Sequence, residues 1–164
     1  MSLTKRELAA ILAGNPDIAL RNAGDLGAPA ERALERGQAG ARSEHDEQCD
    51  LFAWADAAQA AMPELMLMFA IPNGGARHPA VAAQLKAEGV RRGVPDIFLA
   101  AIRRGQDGRI YGGLFVELKR ADRSNHATPE QRAWIDALRE AGYMAIVAYG
   151  ADEAIAAITA YLAQ

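Results

Sequence analysis

Two apolar runs, "VPDIFLAAI" (94–102) and "GGLFVELK" (112–119), flank the tetrapeptide Gly105-Gln106-Asp107-Gly108, and each run carries a carboxylate. The Gly/Asp cluster signals a tight turn, and the Val-, Ile- and Phe-rich flanks signal strands. A hairpin centred between Gln106 and Asp107 fixes the pairing, because Asp96 lies ten residues before Gln106 and Glu117 ten after Asp107. Directly opposed residues share a face, with Cβ atoms roughly 5 Å apart. Phe98 and Phe115 form the next pair on that face, and Lys119, two residues beyond Glu117, joins it. A bulge would shift this register by one residue.

The rest of the chain alternates helices and strands around this hairpin. Ser43 reads as the N-cap of a long helix, "SEHDEQCDLFAWADAAQAAM", ended by Pro63. The run "ELMLMFAI" (64–71) reads as a buried strand closed by Pro72-Asn73-Gly74-Gly75, and "HPAVAAQLKAEG" as a helix with Pro79 in its first turn and Gly89 past its end. In "TPEQRAWIDALREAG", Thr128 caps, Pro129 takes the first position, Gln131 completes a capping box and Gly142 stops the helix. "YMAIVAYG" is a strand and "DEAIAAITAYLAQ" a final amphipathic helix. The pattern is that of an α/β domain with a mixed sheet covered by helices. Residues 1–42, rich in Gly, Ala and charge, read as an appended, partly helical segment and linker, so the domain is expected over 43–164. A chain of 164 residues is too short for two domains of ordinary size.

Asp96, Glu117 and Lys119 on one face can be read in two ways. The plain reading is a cross-strand salt-bridge network, worth about 0.2–1 kcal/mol per pair at a surface. Against it stand the strongly apolar strands around the charges and Pro95, which stiffens the chain before Asp96. Two carboxylates at that distance repel unless one keeps a proton or a cation lies between them. Hard Mg²⁺ takes one or two carboxylates together with waters and phosphate oxygens. Such an ion lowers the pKa of water and offsets charge on a phosphoryl oxygen. Lys119 beside it could orient or deprotonate the attacking water or stabilise the transition-state charge. These parts match metal-assisted phosphodiester hydrolysis. Glu44 and Gln48, one turn apart on the leading helix, form a further polar pair, which serves equally well as an exposed helix face.

Net charge is −3, but residues 74–123 hold ten basic and five acidic residues, so this span is at +5 and the remainder at −8. A basic middle in an acidic chain is either a phosphate-binding face or a solvated Arg-rich surface. Cys49 is the single cysteine, which excludes an internal disulfide and fits a reducing, cytoplasmic setting. No apolar run approaches the ~20 residues of a membrane span, and no signal core is visible.

The order Pro95-Asp96, then Glu117-x-Lys119, is that of the PD-(D/E)XK nuclease superfamily. The neighbourhood is more specific. Ile-Pro-Asn-Gly-Gly (71–75), Lys86-x-Glu-Gly-Val-x-x-Gly-Val-Pro-Asp96, Glu117-x-Lys119 and Thr128-Pro-Glu-Gln131 together resemble a VRR-NUC domain, the virus-type replication-repair nuclease family, over about residues 43–162. The resemblance implies a restriction-endonuclease-like core: a mixed sheet of about four strands in αβββαβ order with an extra helix. It also implies a Mg²⁺- or Mn²⁺-dependent DNA endonuclease, selective for branched or junction DNA in phage or prophage replication, repair or recombination. Asp96 and Glu117 would bind the metal with the Leu118 carbonyl, and Lys119 would be catalytic. Glu44 would assist the metal or its waters; Glu47 is the rival helix acid. Gln48 and Gln131 would support the site, although Gln131 could be a capping residue alone. Asn73, Arg77, Lys86 and Arg120 are candidates for DNA contact, and a homodimer is the family's tendency. His45, His78 and His126 form no metal trio, and Trp54 and Trp134 are read as core. The competing class is a non-catalytic nucleic-acid-binding module that kept the fold, and a third is a structural domain with a charged sheet face.

Overall fold

The computed structural model describes residues 42–72 and 79–164. All but the last residue of the appended N-terminal segment, and the positions Asn73, Arg77 and His78, lie outside the described residues.

The elements are helix α1 (Glu44–Ala58), a 3-10 helix (Pro63–Leu67), β1 (Met68–Ala70), α2 (Pro79–Ala87), β2 (Ile97–Leu99), β3 (Arg103–Arg104), β4 (Ile110–Tyr111), β5 (Leu114–Lys119), α3 (Pro129–Glu140), β6 (Met144–Tyr149) and α4 (Gly150–Leu162). One sheet has the order β1-β2-β5-β6; β3 and β4 form a separate two-stranded ribbon. β1 and β5 each run antiparallel to β2, and β6 runs parallel to β5 after the α3 crossover. The sheet is therefore mixed, as the alternation of elements required.

The register of the central pair is Ile97↔Val116, Phe98↔Phe115 and Leu99↔Leu114, the one expected from the sequence. The route to it differs. The turn at the tip is one residue wider, because Arg104 pairs with Ile110 and Gly105 N donates to Arg109 O. The hairpin tip is thus centred on Asp107, and three residues (100–102) then oppose two (112–113), which restores the expected register in the long strands. Gly113 is required at this offset, since a Cβ there would lie 2.5 Å from the Phe98 ring.

Two element boundaries also differ. The leading helix ends at Ala58, several residues before Pro63. Only Met68–Ala70 of the run 64–71 is strand, because Pro63 opens a 3-10 turn in which Leu65 N donates to Met62 O. That turn still buries Leu65 in the core, and the Glu64–Arg103 ion pair of 2.9 Å ties it to β3.

On β5, Leu114, Val116 and Leu118 enter the core against Leu51 and Ala55 of α1 and Ala154, Ile158 and Tyr161 of α4. The Tyr161 hydroxyl, buried with them, donates to Ala101 O at 2.6 Å. On the opposite sheet face, Phe98 stacks on Phe115 with centroids 4.2 Å apart, and Phe69 and Tyr143 meet them edge-on. Trp54 packs against the core, as read from the sequence. Trp134 is a correction: it is half-buried and donates through Nε1 to Arg92 O, closing over the turn that leads into β2.

Candidate active site

The second sheet face continues from Phe115 into Glu117 and Lys119, and both charged side chains are buried, at 0% and 5% exposure. Lys119 Nζ lies 2.6 Å from Glu117 Oε1 and 3.0 Å from Glu44 Oε1, and donates to the Leu118 carbonyl at 3.3 Å. An ammonium has three protons, so these three acceptors use all of them.

Asp96 sits half-buried at the threshold of β2, where Oδ2 accepts from Leu118 N at 3.0 Å. Ile71 N donates to Asp96 O at 2.7 Å, so the residue is held through its backbone as well as its carboxylate. Burial raises the pKa of Asp96, and the Glu44 charge adds to the rise; the Leu118 amide and Lys119 oppose it. Burial, followed by the charge of Asp96, pushes Glu117 up to about 7, against the pull of Lys119. Burial alone would lower the pKa of Lys119, but its bonds and charge contacts with Glu117 and Glu44 together outweigh it and raise it.

Helix α3 reaches the same carboxylate. Gln131 Oε1 accepts from Thr128 N to complete the capping box, while its Nε2 donates to Glu117 Oε1. One amide therefore both starts the helix and holds a site acid. With Lys119 and Gln131 on Oε1, the other oxygen, Glu117 Oε2, is buried with no hydrogen-bond partner.

The two acids of the leading helix have different surroundings. Glu44, in the first turn of α1, receives Lys119 and also Asn125 Nδ2 at 2.7 Å. Glu47, 5% exposed, accepts from Ala151 N at 2.9 Å at the start of α4 and meets Arg42 at 3.5 Å. Gly150, just before Ala151, has φ +83, and a Cβ on it would lie 2.8 Å from the Ala121 Cβ, so the start of α4 needs glycine there. Gln48 is half-buried on α1. Arg120 turns its guanidinium to Asp122 at 3.0 Å and gives its backbone N–H to Asn125 Oδ1 at 3.3 Å. Lys86 is exposed in the last turn of α2. His45 faces Cys49 on the surface, and His126 Nδ1 meets the Tyr149 hydroxyl at 3.1 Å. Asn125 has no counterpart in the sequence reading; its partner Glu44 is 81 residues away and no spacing rule links them.

Three carboxylates, Asp96, Glu117 and Glu44, thus gather around one ammonium. Among the described residues no three His, Cys, Asp or Glu side chains enclose a common point. The donor set is instead an open pair of carboxylates, Asp96 and Glu117, with an unpartnered oxygen on Glu117. That fits Mg²⁺ or Mn²⁺, which keep waters and substrate oxygens in their shell.

The sequence profile of the VRR-NUC domain matches residues 36–152. A solved structure named VRR_NUC domain protein is 30% identical, superposes with a TM-score of 0.59, and the match covers 75% of this chain and 90% of that one. No curated protein matches the sequence. No helix among the described residues is long and apolar enough to cross a membrane.

Proposed function

Because this chain belongs to the VRR-NUC family of nuclease-type domains, we propose that it is a Mg²⁺- or Mn²⁺-dependent DNA endonuclease that hydrolyses phosphodiester bonds. The observation that carries the reading is the charge imbalance of the buried site. Three carboxylates face one lysine, and Glu117 keeps a proton up to about pH 7 while one of its oxygens has no partner. A divalent cation would relieve that imbalance, held by Asp96, Glu117 and the Leu118 carbonyl, with Glu44 assisting beside Lys119. Bound there, it would activate water and neutralise charge on the scissile phosphate.

The protein's own groups divide the remaining work. Lys119 stays an ammonium at neutral pH, since Glu117 and Glu44 hold its proton. It therefore acts as a hydrogen-bond donor and counter-charge to the phosphate or its attacking water, and does not remove a proton itself. Its longest bond, to the Leu118 carbonyl, is the one to exchange for a substrate oxygen. Gln131 and Lys119 occupy one oxygen of Glu117 and fix the carboxylate's plane. Leu118 N fixes Asp96. The basic span 74–123, including Lys86 and Arg120, contacts the DNA backbone, with branched or junction DNA as the preferred substrate and two copies of the chain as the working unit. The family's phage-type replication and repair role belongs to the same reading.

Labelled branched, flapped, single-stranded and duplex DNA incubated with Mg²⁺, Mn²⁺ or EDTA, beside an Asp96→Ala control, tests this. Cleavage in the wild type with either metal alone is the expected result. Cleavage that survives EDTA or Asp96→Ala overturns the mechanism, and DNA binding without cutting under any metal selects the binding-module reading.

A further inference from the structure

We infer that Asn125 is a positioning residue of the site, holding Glu44 so that Glu44 in turn holds Lys119. The inference rests on the nuclease reading for its effect on rate, but not for its geometry.

Asn125 lies in the segment between β5 and α3, five residues after Arg120. Its Oδ1 accepts from Arg120 N at 3.3 Å and its Nδ2 donates to Glu44 Oε1 at 2.7 Å. Those partners fix the orientation of the amide, because a backbone N–H can only donate and a carboxylate can only accept. The same Glu44 oxygen accepts from Lys119 Nζ at 3.0 Å. A continuous chain therefore runs from the Arg120 backbone through Asn125 and Glu44 to Lys119 and Glu117. Glu44 is the exposed member of the group, its side chain 43% accessible, so it has little packing to keep its rotamer. One hydrogen bond from a fixed amide does for Glu44 what packing does for Glu117. Only a side chain that accepts on one end and donates on the other, at the length of Asn, serves both partners. A carboxylate at this position would keep the Arg120 bond and repel Glu44.

That asymmetry separates positioning from folding. Asn125→Asp keeps the bond to the Arg120 amide and loses the one to Glu44. It is expected to lower kcat about 10–100-fold with KM within roughly twofold, as for a misplaced catalytic group, and to leave the thermal midpoint unchanged. In a Glu44→Gln background, the Gln amide can donate to the carboxylate that Asn125→Asp introduces and still accept from Lys119. There Asn125→Asp should cost less than about twofold, the signature of coupled residues. An equal loss in both backgrounds, or wild-type kcat in Asn125→Asp, overturns the inference. A second readout needs no cleavage: acylation of Lys119 by an amine reagent in the metal-free protein, read by mass spectrometry. Lys119 should label several-fold faster in Asn125→Leu, which removes the donor to Glu44 without adding a charge, than in wild type, and equal labelling also overturns the inference. A wild type that cuts no DNA but shows the labelling difference would refute the nuclease reading and keep the role of Asn125.

Discussion

Glu117 and Lys119, two residues apart on one strand, hold their charged ends 2.6 Å from each other in a site where Glu117 is fully buried. The pair is not self-sufficient, because Asp96 and Glu44 add two further negative charges near the same ammonium.

Removing the ammonium leaves the acids without a counter-charge. Lys119→Met should abolish cleavage, by about 100-fold or more, and its stability cost should depend on pH. Below about pH 6, Glu117 accepts a proton and the cost is small; at about pH 8 the carboxylate must stay ionised in a buried site or keep a proton against the solvent. Breaking a buried pair by removing one partner costs roughly 3–5 kcal/mol, and the loss at the higher pH should approach the low end of that range. Thermal melts of mutant and wild type at the two pH values check this; a pH-independent loss would contradict it.

Glu117 also predicts the pH dependence of the metal-free wild type. Its folded-state pKa is raised to about 7, mainly by burial and then by Asp96. A carboxyl whose pKa is higher folded than unfolded binds more protons in the native state between about pH 4.5 and 7. Its contribution to stability is therefore present in acid and is lost as the pH rises through about 7. In EDTA the melting temperature should fall between about pH 4.5 and 7 and level off above that. Glu117→Gln, which keeps an acceptor for Gln131 and Lys119, should flatten that fall and melt higher than wild type at the upper end. Added Mg²⁺ must displace the same proton, so its apparent affinity should rise over the same interval.

How far these relationships were readable depends on whether they are local. Asp96 and Glu117 are equidistant from a turn, so their pairing followed from counting residues. The count succeeded through two compensating departures, a wider turn centred on Asp107 and an extra residue among 100–102, neither of which the apolar pattern marks. Residues 64–67 depart from the expected strand for a related reason: a run of apolar residues looks the same whether it enters the core as a strand or as a 3-10 turn. The capping role of Gln131 is local and was visible, whereas its bond to Glu117 depends on how α3 crosses to β6. Asn125 and the contact from Glu47 to Ala151 join segments far apart in sequence, where spacing carries no information.

Glu44 and Glu47 give the sharpest contrast between function and fold. Glu47 is buried and supplies an acceptor to the first turn of α4. Losing such a charged acceptor at a helix N-terminus costs roughly 1–3 kcal/mol. Glu47→Ala should thus melt several degrees lower while its folded fraction cuts DNA at the wild-type rate. Glu44→Ala should melt within about a degree of wild type, as expected for a half-exposed pair, and lose about tenfold or more in kcat. Melting curves and initial rates on the same samples decide the matter, and the reverse pattern would assign the site role to Glu47.

Metal binding can be read without catalysis. Asp96 accepts from Leu118 N, and an Asn at that position can keep the bond through its Oδ1 while giving up one negative charge. Asp96→Asn should therefore fold at least as stably as wild type in EDTA, since it also relieves the repulsion that raises Glu117. A ligand that binds only the native state raises stability with its concentration, by about 2.7 kcal/mol at roughly 100 times Kd. Mn²⁺ titrated into the wild type at about pH 8, where Glu117 has lost its proton, should raise the melting temperature progressively, and EDTA should reverse the rise. The same titration of Asp96→Asn should give little or no shift below millimolar metal. Equal shifts in the two proteins would place the ion elsewhere and remove the support that the Asp96–Glu117 pair lends to the nuclease mechanism.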